Sequence, residues 1–252
     1  MAMPLRPGLS LQTCAGPLER AFSLPGAWAV AVVINSPGGS PVQSHLIHQR
    51  IRALAAEKKL PVVAFVEDAA ASGGYMLACA ADEIFADPSS IVGSIGVVSA
   101  GFGFDRLIER FGVERRIHTV GKSKALLDPF SPERPDDVAR LKEVQKRVYD
   151  MFVALVRERR GARLREEESE DLFSGAIWAG QDALGLGLVD GLGDVRSVMR
   201  QRFGEKVQLR VISAARPGLF SRVLRRIPGE TGLAADTLSV VEERTWWARI
   251  GF

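Results

Sequence analysis

Three short stretches in the first hundred residues hold side chains and amides that could do chemistry together. They are Asn35-Ser36-Pro37-Gly38-Gly39-Ser40, Ala70-Ala71-Ser72-Gly73-Gly74-Tyr75 and Gly93-Ser94-Ile95-Gly96. A Pro-Gly-Gly turn leaves backbone N–H groups unshielded by any Cβ, and such amides can hold a developing oxyanion. Ser72 stands where a helix over Ser72–Ala81 would begin. Two readings are open for it: an N-cap whose hydroxyl bonds an orphan amide, or a nucleophile. Gly73 and Gly74 favour the second. Two glycines in a first helical turn cost roughly 1 kcal/mol each against alanine, a cost that makes sense where something must approach the backbone closely.

A second candidate lies in Gly121-Lys122-Ser123-Lys124. Two lysines after a strand ordinarily form a solvated surface. The apolar Ala125-Leu126-Leu127 and Pro129-Phe130 that follow single out Lys124. A lysine base must be neutral to accept a proton. Bringing a lysine from about 10.4 to about 7–8 takes roughly 3–5 kcal/mol of differential stabilisation, normally supplied by burial against apolar walls. Lys122, in a charged context, is the weaker candidate.

The elements around these residues read as alternating strands and helices. Apolar runs at Ala27–Ile34 and Pro61–Glu67 have the length and composition of strands buried on both faces. Gln43–Glu57 is helical, with Leu46, Ile47, Ile51, Leu54 and Ala55 on one face. Its N-terminal dipole lies beside Gly38 and Gly39. Glu83–Ala86, Gly93–Val98, Arg115–Val120 and Lys206–Ile212 read as further strands, and Leu18–Phe22, Phe104–Phe111 and Val195–Phe203 as helices. Ser131–Arg160 begins with helix-start signals and carries the stripe Val138, Leu141, Val144, Val148, Phe152 and Leu155. It predicts an amphipathic helix of about six turns. The alternation points to an α/β domain with parallel pairing and with its functional turns at the strands' C-terminal ends.

Composition narrows the function classes. The chain has 252 residues, 46% apolar, with a net charge of +3. One large α/β domain is expected, and neither the charge nor any aromatic–basic interleaving suggests nucleic acid. Cys14 and Cys79 make no disulfide framework. His45 and His48 can share a helix face, but no third ligand accompanies them, so no metal is expected. No apolar run approaches the length of a spanning helix and no signal peptide is visible, which predicts a cytoplasmic location. Arg163–Asp171 reads as a solvated charged link. Asp190, in a glycine-rich turn, is better explained by that turn than by a catalytic role. Arg216, Arg222, Arg225 and Arg226 lie among apolar residues and read as a surface helix or loop, the alternative being peripheral contact with anionic lipid at the inner membrane. Leu233–Val241 reads as one more helix. Trp246-Trp247 is open to three readings: burial on the body, contact with a neighbouring subunit, or a place at a membrane interface.

The turns, with Gly-Lys-Ser-Lys, resemble the SppA (signal peptide peptidase A) family of serine peptidases over about Val30–Asp194. The resemblance implies a ClpP/crotonase-like α/β fold with repeated β-β-α/β-α units and a long amphipathic helix after the lysine. It makes Ser72 the nucleophile and Lys124 the general base, with Ser94 bonded to that lysine. Gly39 or its neighbour Gly38, together with Gly73, would supply the oxyanion amides. It implies no cofactor, short apolar peptides or released signal peptides as substrates, and a closed homo-oligomer. Three segments are expected: 1–25 irregular, 26–212 the peptidase domain, and 213–252 a basic, helical extension. Family members usually have an extended N-terminal strand, and many a membrane anchor, before this region. Neither is visible, which predicts a short member or a start upstream, and an unpaired sheet edge. Three other readings compete. His118, the one histidine downstream of Ser72, would make a Ser–His pair. A crotonase-like acyl-CoA enzyme would use the amides for a thioester enolate. An inactive scaffold would use neither.

Overall fold

A computed structural model describes residues 9–212 except 122. The four arginines from Arg216 to Arg226, the Leu233–Val241 helix, Trp246-Trp247 and Lys122 lie outside the described residues. Contacts divide the chain into two units, one of residues up to Ile95 together with those from Val153, the other Gly96–Phe152.

The first unit is built on a mixed sheet. Its strands are β1 (Val30–Ser36), β2 (Val62–Ala71), β3 (Glu83–Ala86), β4 (Ile91–Gly93), β5 (Ile177–Ala179) and β6 (Gly191–Leu192). β2 is the centre. β1 runs parallel along one edge, and the other edge is shared in succession by β3, at Val63–Val66, and β4, at Ala69–Ala71. β6 adds in parallel to β3, while β5 is antiparallel to β4, a departure from the all-parallel expectation. The neighbours of β2 change at Glu67 and Asp68, its two exposed residues. The β1 register shifts at the same level, between Ile34 and Ser36. Ser90 bridges the change, its Oγ 3.2 Å from Val66 O and 2.5 Å from Glu67 O. β1 pairs with β2 alone among the described residues.

Helices cover the sheet. α1 (Leu11–Phe22) is capped by Ser10 and Thr13 and begins well before the expected Leu18. α2 (Pro41–Lys58) is capped by Ser40 and ends at Lys59 in a left-handed conformation. It buries Ile47, Ile51, Leu54 and Ala55, as its periodicity predicts, and also Ser44 and His48. α3 (Gly73–Ala78) is buried throughout. α7 (Val195–Phe203) packs Val198 and Met199 on Val63 and Phe65. The expected strand Gly93–Val98 stops at Gly93, because Gly93 (φ 108°) and Ser94 (φ 51°) leave the extended region. Lys206–Ile212 forms no strand, since no neighbouring strand takes its backbone groups.

The second unit holds α4 (Asp105–Arg110) and most of α5 (Pro135–Arg160), whose last turns belong to the first unit. At 26 residues, α5 has about seven turns. Arg115–Val120 is not a strand: every residue is exposed and its backbone has no strand partner. Strand-favouring residues such as Ile117, Thr119 and Val120 do not make a strand without a sheet to join.

Candidate active site

Ser72 joins β2 to α3 in a conformation of φ 51° and ψ −119°. A residue with a Cβ rarely occupies that region, and holding it there costs on the order of 1–3 kcal/mol. Two backbone bonds enforce it. Ser72 N–H donates to Gly93 O at 2.8 Å, and its carbonyl accepts from Met76 N at 3.1 Å. The hydroxyl makes no capping bond, which removes the N-cap reading. Every other residue from Ala69 to Ala81 is buried; Ser72 alone is half-exposed.

The glycines follow from the close approach of the Pro-Gly-Gly turn to this junction. A Cβ on Gly38 (φ 116°) would lie 2.9 Å from Ser72 Cβ and 3.1 Å from Ala71 O. A Cβ on Gly74 would lie 2.5 Å from Ser36 O. A Cβ on Gly73 would collide with Ser44 Oγ and lie 3.4 Å from Gly39 N. Gly38 N–H donates to Ser36 Oγ at 3.3 Å. The amides of Gly39 and Gly73 have no partner among the described residues, and so are free to receive an acceptor. Ser94, also at positive φ, follows the peptide that binds Ser72 and donates its own N–H to Ala176 O at 2.7 Å. Trp178 packs on Gly93 too closely for any side chain there.

Lys124 belongs to the second unit. It sits in a turn closed by its N–H to Gly121 O at 3.1 Å, and its side chain is exposed rather than walled by apolar residues. The neighbouring Asp128 accepts from Arg115 and Ser131. The hydrogen bond from Arg115 holds its carboxyl below the usual range. His118 is exposed in the same unit.

Behind Ser72 lies a buried polar network that the sequence reading missed. Tyr75, fully buried on α3, donates its hydroxyl to Leu188 O at 2.8 Å. Arg160, 3% exposed, donates to Gly187 O at 2.8 Å and to both Asp190 oxygens at 2.7 and 3.0 Å. Asp190 also accepts from Ile84 N at 2.8 Å. These bonds give Asp190 a structural task, in line with its glycine-rich turn. Arg159 donates to Cys79 O and Ala81 O, and Arg52 to Ala80 O, so arginines satisfy the carbonyls that end α3. The one signal in the sequence was a run of arginines closing an amphipathic helix, which usually reads as solvated.

His45 and His48 share a helix face with stacked rings, 6.4 Å between centroids. His48 is buried with neither ring nitrogen hydrogen-bonded. Burial, then the charge of Arg159, brings its pKa down to about 4. Burial pushes the Cys79 thiol up to about 12, so it is inert at neutral pH. Among the described residues no three His, Cys, Asp or Glu side chains are grouped to hold a metal, and no helix is long and apolar enough to cross a membrane.

Comparison with known proteins adds a family. Residues 54–209 match peptidase family S49. The chain is 52% identical, over 98% of its length, to a protein of Brucella abortus named Na(+)/H(+) antiporter NhaA, of which it covers 34%. It thus spans about a third of that relative. A putative protease of Synechocystis is 33% identical over 86% of the chain and 79% of its own length. The chloroplastic serine protease SPPA of Arabidopsis thaliana is 35% identical over 66% of the chain and 24% of its own length.

Proposed function

This chain belongs to peptidase family S49, and on that premise we propose that it is a serine endopeptidase with Ser72 as nucleophile and Lys124 as general base. The observation that carries the reading is the Ser72 junction: a strained, half-exposed serine with an uncommitted hydroxyl, beside the free amides of Gly39 and Gly73. Ser72 Oγ attacks the peptide carbonyl carbon as its proton passes to Lys124 Nζ. The carbonyl oxygen, now an oxyanion, is held by the amides of Gly39 and Gly73, with Gly38 shaping the turn. Collapse breaks the C–N bond, and the leaving amine takes the proton from Lys124. Water then attacks the acyl-enzyme, again losing a proton to Lys124, and Ser72 is regenerated. Ser94 orients the lysine.

The finer fold reading is a ClpP/crotonase-like arrangement, supported by β2 carrying two successive neighbours on one edge. The substrates are short apolar peptides, signal peptides among them, a reading that the name of one relative, a putative signal peptide peptidase SppA, supports. The second unit exposes Phe102, Phe111 and Val120, which favours a homo-oligomer. Light scattering at micromolar concentration should then give a multiple of the chain mass, and a monomer mass would remove that part of the proposal.

The dyad has its own test. Lys124→Ala should lower cleavage of a fluorogenic peptide at least about 1,000-fold while circular dichroism stays unchanged. Activity that persists in the folded variant would move the base elsewhere, with His118→Ala examined next.

A further inference from the structure

Resting on Ser72 as nucleophile, we propose that Ser44 is a further catalytic residue: its hydroxyl donates a third hydrogen bond to the oxyanion, beside the amides of Gly39 and Gly73. Ser44 lies one turn into α2, its N–H bonded to Ser40 O at 3.0 Å, and the residue is 5% exposed. Its Oγ occupies the space that a Cβ on Gly73 would need, and Gly39 N lies 3.4 Å from that same point. The Ser44 hydroxyl therefore packs against Gly73, with the Gly39 amide nitrogen close by, at the residue that follows Ser72.

Three other serines near the junction are committed. Ser36 Oγ accepts from Gly38 N, Ser40 Oγ accepts from Gln43 N, and Ser90 Oγ is bonded to strand carbonyls. Ser44 Oγ makes no hydrogen bond among the described residues. Among the described residues only the His48 ring nitrogens are both unpartnered and fully enclosed, so the Ser44 oxygen remains reachable from outside. A reachable hydroxyl with no protein acceptor is free to bond an incoming one. A rotating O–H suits a negative charge that exists for part of the cycle, and a group that bonds only the charged state accelerates the chemical step rather than binding.

The test uses the full chain, a fluorogenic peptide and a peptide aldehyde, whose hemiacetal with Ser72 places its oxygen in the same hole. Ser44→Ala should lower kcat about 10–100-fold and leave KM within about twofold. Aldehyde affinity should fall by the same factor as kcat/KM. The melting temperature should stay within about 2 °C, because the deleted hydroxyl bonds no protein atom. Ser44→Thr, which keeps a hydroxyl, should recover most of kcat. A kcat in Ser44→Ala within about threefold of wild type overturns the proposal, as does a fall in kcat with aldehyde affinity unchanged. If Ser72→Ala is dead while Ser44→Ala stays within about threefold of wild type, Ser44 alone is wrong. If cleavage survives Ser72→Ala, the nucleophile assignment falls and takes Ser44 with it.

Discussion

Ser72 is held where side chains seldom go, and the residues around it are chosen by that constraint. Its backbone is fixed by Gly93 on one side and by the first turn of α3 on the other. Gly38 must lack a side chain because Ser72 Cβ and Ala71 O already fill the place. Gly38→Ala should therefore push the Pro-Gly-Gly turn off the serine. The expectation is a loss of kcat of about 100-fold or more, with a stability cost of about 1–3 kcal/mol in urea unfolding. Wild-type kcat in this variant would mean that the turn has no part in the chemistry. At this scale the sequence was informative, since glycine pairs beside a serine announce close backbone approach. It could not tell Gly38 from Gly39. That distinction rests on Ser36 Oγ, which takes the Gly38 N–H and leaves Gly39 free. Ser44 gave no signal at all, because a serine on a helix face looks like any other until the Gly73 backbone is found against it.

The elements place these residues where one strand changes partners. β2 gives up β3 and takes β4 at Glu67–Asp68, bringing the ends of β1, β2 and β4 to one edge of the sheet. α2 and α3 then pack together beneath the turns, with His48 between them and Arg159, Arg52, His45 and Cys79 around it. Its pKa of about 4 in the folded chain lies below the unfolded value of about 6.5. Between these values the unfolded chain binds the proton more readily. The contribution is complete above pH 6.5 and is lost as pH falls to about 4, a change on the order of 3 kcal/mol. Urea unfolding of wild type and His48→Leu should converge or cross as pH drops through this window. Parallel curves would show that His48 stays accessible to protons. Periodicity made α2 and α7 legible, and apolar runs made β1 and β2 so. Arg115–Val120 and Lys206–Ile212 misled because strand propensity reports how well residues suit a sheet, not whether one is adjacent.

At the scale of the molecule, the proposed chemistry divides between the two units. Ser72, Ser94 and the glycines belong to the first, and Lys124 to the second, which also exposes Phe102, Phe111 and Val120. A lysine base works only where it is held neutral, and an apolar enclosure is the ordinary means. The proposed oligomer would supply such an enclosure and restrict entry to extended peptides. The sequence showed which residues to suspect; it could not show that they lie in separate units, because short motifs carry no record of how the chain between them packs. Ser72 as nucleophile is the claim on which the rest depends. Its most direct measurement is intact mass after reaction with a peptidyl or alkyl fluorophosphonate, followed by mapping of the adduct, beside the folded Ser72→Ala variant. The account predicts one adduct per chain, located on Ser72, absent from the variant, with peptide hydrolysis lost in step. Adduct on another residue, or hydrolysis that survives Ser72→Ala, would contradict it.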